Sequence, residues 1–114
     1  MSLINKVIYT TRFAKDAKPF IKKYSGFRKT LEDLENELLQ TPRLGVPYGS
    51  KIYKIRVADE SKGKGKSGGF RVITYVIDER KDGTDVYLIT ILDKSEEASI
   101  KKEDVLRLIK QCGL

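Results

Sequence analysis

Histidine and tryptophan are absent from this sequence, and cysteine occurs once, at Cys112. Without histidine, the imidazole on which most general acid–base schemes rely is missing, so any catalysis must run on Lys, Arg, Tyr, Asp or Glu. The same absence, with a single thiol, leaves the usual nitrogen and sulfur ligands of a zinc or haem site unavailable, and no metal or other cofactor is expected. One cysteine cannot form an intramolecular disulfide, which suits a reducing cytosol. Long apolar runs are missing too: stretches such as Val86 to Leu92 are far too short to span a bilayer, and the first residues lack the apolar core of a secretory signal. A cytoplasmic protein with no membrane partner is the expectation.

What the sequence has in quantity is positive charge. Across 114 residues, 23 Lys and Arg stand against 16 Asp and Glu, a formal net charge of +7. The excess is regional: residues 1–29 carry eight basic side chains against Asp16 alone, and residues 51–71 carry seven against Asp59 and Glu60, whereas residues 30–50 and 72–114 are net acidic. A basic region in a cytosolic protein most often meets a polyanion, because each neutralised phosphate releases a condensed counterion. Nucleic acid is therefore the leading partner, with a solvated face kept for solubility as the other reading.

The length fits one domain, residues 1–114, built as two packed layers. Val7 to Tyr9 reads as a short strand. Phe13, Ala17, Phe20, Ile21 and Tyr24 then recur at helical spacing, with Thr10 or Thr11 as N-cap and Pro19 marking a kink or a restart. Gly26 breaks that pattern, and Phe27, Leu31, Leu34 and Leu38 form a second helical stripe ending at Pro42. Residues 42–49 read as a turn. Three β-rich segments follow, Lys51–Val57, Phe70–Ile77 and Val86–Leu92, separated by a glycine-lysine loop and by the turn Asp82-Gly83; three strands this close predict an antiparallel meander. A last helix is predicted from Lys101 to Gln111, with Gly113 as its stop. The fold class is α+β, in the order β-α-α-β-β-β-α, with the two N-terminal helices packed on one face of a small antiparallel sheet and the other face left to a ligand.

Gly63-Lys-Gly65-Lys-Ser-Gly68 matches the G-x-G-x-x-G dinucleotide fingerprint, but that motif needs a strand before it and a helix after it, and here a strand follows. Gly65-Lys66-Ser67 lacks the first glycine of a P-loop, the position being Glu60. The segment reads instead as a bendable cationic hairpin tip presenting Lys62, Lys64 and Lys66, which with Lys51 are candidate nucleic-acid contacts. In the strand Tyr53-Lys54-Ile55-Arg56-Val57, alternation puts Lys54 and Arg56 on one face, and antiparallel pairing brings Arg71 near them. Like charges opposite one another destabilise a sheet, so an anion is expected to sit there.

The segments Lys51-Ile-Tyr-Lys-Ile-Arg56, Lys66-Ser-Gly-Gly-Phe-Arg-Val-Ile73 and Val86-Tyr-Leu-Ile-Thr-Ile-Leu-Asp-Lys-Ser-Glu96 resemble the RelE/HigB branch of bacterial type II toxins, over roughly residues 4 to 110. The resemblance implies a ribosome-dependent, metal-free endonuclease that cuts messenger RNA in the decoding site. It also implies inhibition by an antitoxin from the same operon, operator DNA being contacted only through the antitoxin complex. Residue by residue it places Lys54 and Arg56 on the family's basic strand, Arg71 on its phosphate-binding arginine, and Lys94 on the basic residue after the last strand. Ser95 and Lys101 stand where the founding member has an arginine and a tyrosine that serve its chemistry, which leaves the proton donor open.

That chemistry is feasible without histidine. Attack of a ribose 2′-oxygen on the adjacent phosphate needs a base, stabilisation of the transition-state charge, and an acid for the leaving 5′-oxygen. Arg71 and Arg56 can hold phosphate oxygens. Lys54, whose cationic neighbours favour its neutral form, is the expected base, and Lys94, Lys64 or Lys66 the acid. The rival readings are a ParE-type inhibitor of DNA gyrase on the same fold, which needs no phosphate-cleaving site, and a non-enzymatic RNA- or DNA-binding module, for which only Tyr48 and Phe70 offer themselves as exposed stacking platforms.

Overall fold

The apolar spacing of the first half produces two helices. The computed structural model describes residues 4–59 and 69–114. After strand β1 (Lys6–Tyr9), the Thr10 hydroxyl accepts from the Phe13 amide at 3.1 Å and caps helix α1 (Thr11–Lys23). The helix runs through Pro19 without interruption, where a kink or restart was expected. Gly26 precedes helix α2 (Phe27–Gln40), whose buried stripe is Phe27, Leu31, Leu34 and Leu38.

Among the described residues, five strands form one sheet in the order β1-β5-β4-β3-β2. The segment 46–49, read from sequence only as a turn, contributes a two-residue edge strand β2 (Val46–Pro47), paired antiparallel with β3 (Ile52–Val57). Strands β4 (Phe70–Arg80) and β5 (Gly83–Asp93) are longer than their apolar cores alone suggested, because they continue into a tight hairpin at Lys81-Asp82. The β3-β4-β5 meander is antiparallel as expected, but β1 runs parallel to β5, so the sheet is mixed. The α1–α2 hairpin between β1 and β3 carries the chain across the helical layer and permits that parallel edge. Gly83 is required where β1 approaches: a Cβ there would lie 1.7 Å from the Ile4 carbonyl oxygen.

Helices α1 and α2 pack on one face against Ile55, Val57, Phe70, Val72, Val76, Val86, Leu88 and Ile91. Phe70 is fully buried and touches the rings of Phe20, Tyr24 and Phe27, so it is a core residue and not an exposed platform. The opposite face is not left wholly to a ligand. Helix α3 (Lys102–Gln111) lays Val105 and Ile109 on Ile52, Ile73 and Ile89, since an amphipathic helix must bury its stripe and this half of the face is apolar. Asp104 accepts from the Lys101 amide at 2.8 Å at the start of α3; at its end Gly113 adopts φ +80° as the amides of Gly113 and Leu114 bond back to Lys110 and Ile109. No described helix is long and apolar enough to cross a membrane.

Candidate anion-binding site

What α3 leaves uncovered is the end of the sheet where Lys54, Arg56 and Arg71 share a face. Arg56 and Arg71 are cross-strand partners in the β3–β4 register, while Lys54 stands opposite Ile73. The sequence-predicted cluster is therefore real. Its members differ in surroundings: Arg56 is exposed and makes no ion pair or side-chain hydrogen bond among the described residues, Lys54 is half-buried, and Arg71 is 2% exposed.

The anion expected among these cations is supplied by the chain itself. Following β5, residues Lys94–Ser99 form a short 3₁₀ helix, capped where Asp93 Oδ1 accepts from the Ser95 amide and hydroxyl, each at 3.0 Å. Asp93 N–H in turn donates to Glu96 Oε1 at 3.2 Å. This turn delivers Glu97 onto the sheet: its Oε1 accepts from Arg71 Nε at 2.8 Å and its Oε2 from Lys54 Nζ at 3.1 Å. Arg71 Nη1 also donates to the Phe70 carbonyl at 3.1 Å. The Lys54 ammonium lies 4.3 Å from the Tyr48 ring centroid, between an aromatic face and a carboxylate. Tyr48, named as a stacking platform for bases, here carries a lysine.

Burial pushes the Glu97 carboxyl up, but the hydrogen bond from Lys54 and the charges of Arg71 and Lys54 outweigh it and hold the pKa below the ordinary carboxylate value. Lys54 consequently has a carboxylate neighbour as well as cationic ones, which the argument from positive neighbours alone did not include. Sequence reasoning missed Glu97 because it is 26 residues from Arg71 and 43 from Lys54. Of the adjacent Glu96 and Glu97, only the fold decides which caps the helix and which reaches the cations.

Other candidate residues are placed as follows. Lys94 opens the 3₁₀ helix, exposed, its amide bonded to the Gly69 carbonyl at 3.1 Å, at the same end of the sheet as Arg56 and Arg71. Lys51 lies at the other end of β3, about 16 Å from Arg56 by strand rise, with left-handed backbone (φ 64°) and its Nζ 3.9 Å from Glu79. Lys62, Lys64 and Lys66 lie outside the described residues. The carboxylates around the β4–β5 hairpin form ion pairs: Asp78 with Arg43 at 2.6 Å, Asp82 and Asp85 with Arg80 at 2.6 and 3.0 Å. Among the described residues no three His, Cys, Asp or Glu side chains gather to hold a metal ion.

No family model matches the sequence. A mixed five-stranded sheet with a helical pair on one face and a C-terminal helix on the other is the architecture of the RelE-like toxins. The chain is similar to the toxin RelE of E. coli, as solved in the free state with two arginines changed to alanine. The TM-score is 0.58 and the identity 25%, over 94% of this chain and 98% of that one. The fold of the chain is the RelE-like one.

Proposed function

We propose that this chain is the toxin of a type II toxin–antitoxin pair, of the RelE/HigB branch, and acts as a ribosome-dependent, metal-independent endonuclease on messenger RNA in the cytoplasm. The observation that carries the reading is the convergence of Lys54, Arg56 and Arg71 on one face at one end of the sheet, around a position that already holds an anion. In the proposed reaction Arg56 and Arg71 hold the phosphate oxygens and stabilise the charge that builds on them. Lys54, in its neutral form, takes the 2′-hydroxyl proton as the 2′-oxygen bonds to phosphorus. The bond to the 5′-oxygen breaks, and Lys94, or Lys64 or Lys66, protonates the leaving oxygen.

A second basic surface supports a large nucleic-acid partner. Arg12, Lys15, Lys18, Lys22 and Lys23 occupy the exposed arc of α1, on the opposite layer from Lys54, and only Arg12 of the five forms an ion pair among the described residues. Such a face suits the phosphates of ribosomal RNA. The proposed partners are a cognate antitoxin, the ribosome and messenger RNA, with operator DNA reached through the antitoxin.

Primer extension on messenger RNA, with and without ribosomes and with chelator added after the ribosomes are assembled, tests the activity. Discrete cuts that need ribosomes and survive the chelator are expected. No cutting under either condition, with gyrase inhibited, would replace this reading by the ParE type; RNA binding without cutting would make the chain a binding module.

A further inference from the structure

Arg71 poses a problem of access. Its side chain is 3% exposed, yet a phosphate-binding guanidinium must reach its ligand, and the group in the way is Glu97, itself 31% exposed. Each carboxylate oxygen of Glu97 takes one cation, Arg71 at 2.8 Å and Lys54 at 3.1 Å, much as two non-bridging oxygens of a phosphodiester would. The 3₁₀ helix that delivers Glu97 is capped through the side chains of Asp93 and Glu96 and not through that of Glu97, so rotation of the Glu97 side chain frees Arg71 Nε without breaking the cap. Arg56, opposite Arg71 and unpaired among the described residues, marks the open side from which a phosphate would enter.

We propose that Glu97 is an internal stand-in for the substrate phosphate: its carboxylate fills the anion subsite of Arg71 and Lys54 in the free protein, and a bound RNA phosphodiester displaces it. The inference rests on the nuclease reading for the identity of the ligand, but not on cleavage. Two physical reasons favour such an arrangement. An uncompensated buried guanidinium is costly, so an empty subsite would weaken the free fold. A carboxylate left in place beside an arriving phosphate would repel it, so the two anions exclude one another.

The test is binding of a short RNA made unreactive by 2′-methoxy sugars, measured by calorimetry on the purified full chain. Glu97→Gln keeps the size of the side chain and removes its charge; it should bind the RNA on the order of tenfold more tightly than the parent, and Arg71→Ala should weaken binding. A folded Glu97→Gln protein that binds equally or less well would overturn the proposal, as would no measurable binding by any variant at millimolar RNA. Should Glu97→Gln fail to fold, nuclear magnetic resonance of the parent decides. The Glu97 carboxyl carbon and the Arg71 Nε–H should shift together as RNA is added, and an unmoved Glu97 signal at saturation would overturn the proposal. A protein that cuts no RNA yet binds the probe more tightly as Glu97→Gln would retire the nuclease reading and keep this one. Cutting by the parent with unchanged affinity in Glu97→Gln would do the reverse.

Discussion

Arg56 and Arg71 face one another across the β3–β4 ladder, one exposed and free of ion pairs among the described residues, the other 2% exposed and bonded to Glu97. Two like-charged residues in one register position thus have different dependences: Arg71 is part of the fold as well as of the candidate site, whereas Arg56 is exposed and belongs to the candidate site alone.

Arg56→Ala is therefore the cleaner test of the chemistry. Removing an exposed guanidinium should leave the midpoint of thermal unfolding within the narrow range of ordinary surface substitutions, about ±0.5 kcal/mol. Cleavage in a ribosome-dependent assay should fall by roughly 100- to 1000-fold if Arg56 stabilises transition-state charge. A variant that cuts at the parental rate would remove Arg56 from the mechanism.

Arg71→Ala should lose activity to a similar degree and stability as well. A hydrogen bond to a charged group contributes about 1.5–3 kcal/mol, and the substitution leaves Glu97 without one of its two cations. Denaturant unfolding of Arg71→Ala, Glu97→Ala and the double variant checks it: a double variant no less stable than Arg71→Ala alone shows that the two losses are one interaction, and strict additivity shows that they are not.

Acid should weaken the protein through the same carboxylate. The folded-state pKa of Glu97 is lowered, so its contribution is fully present above the unfolded value of about 4.3 and fades as pH falls from there through the folded value. The stability difference between the parent and Glu97→Gln, followed by thermal melts from neutral pH downward, should hold steady to about pH 5 and then shrink. A constant difference down to pH 2 would mean that Glu97 does not titrate in this window.

The cleavage products report the nucleophile. With the ribose 2′-oxygen attacking, the upstream fragment ends in a 2′,3′-cyclic phosphate or its opened 3′-phosphate, and the downstream fragment begins with a 5′-hydroxyl. A single 2′-deoxy sugar just upstream of the cut should stop the reaction while leaving ribosome binding nearly unchanged, because phosphate contacts supply most of the affinity. A 5′-phosphate on the downstream fragment would show that water attacks and that Lys54 is not acting as the proposed base.

Much of this arrangement was written in local sequence. The stripes Phe13, Ala17 and Phe27, Leu31, Leu34, Leu38 fixed which faces of α1 and α2 are buried, because helical periodicity depends only on nearest neighbours along the chain. Alternation in β3 put Lys54 and Arg56 on one face, and the hairpin order brought Arg71 beside them. Tertiary structure decided what lies over that face. Helix α3 covers its apolar half, β1 joins the far edge in parallel, Phe70 goes into the aromatic core, and Glu97 reaches across to the cations. Each of these is a pairing between segments distant in the chain, chosen by which surfaces remain to be buried or which charges remain to be neutralised once the helices and strands have formed. Charge count and spacing could say that an anion belonged beside Arg71; only the folded chain could show that the anion is its own.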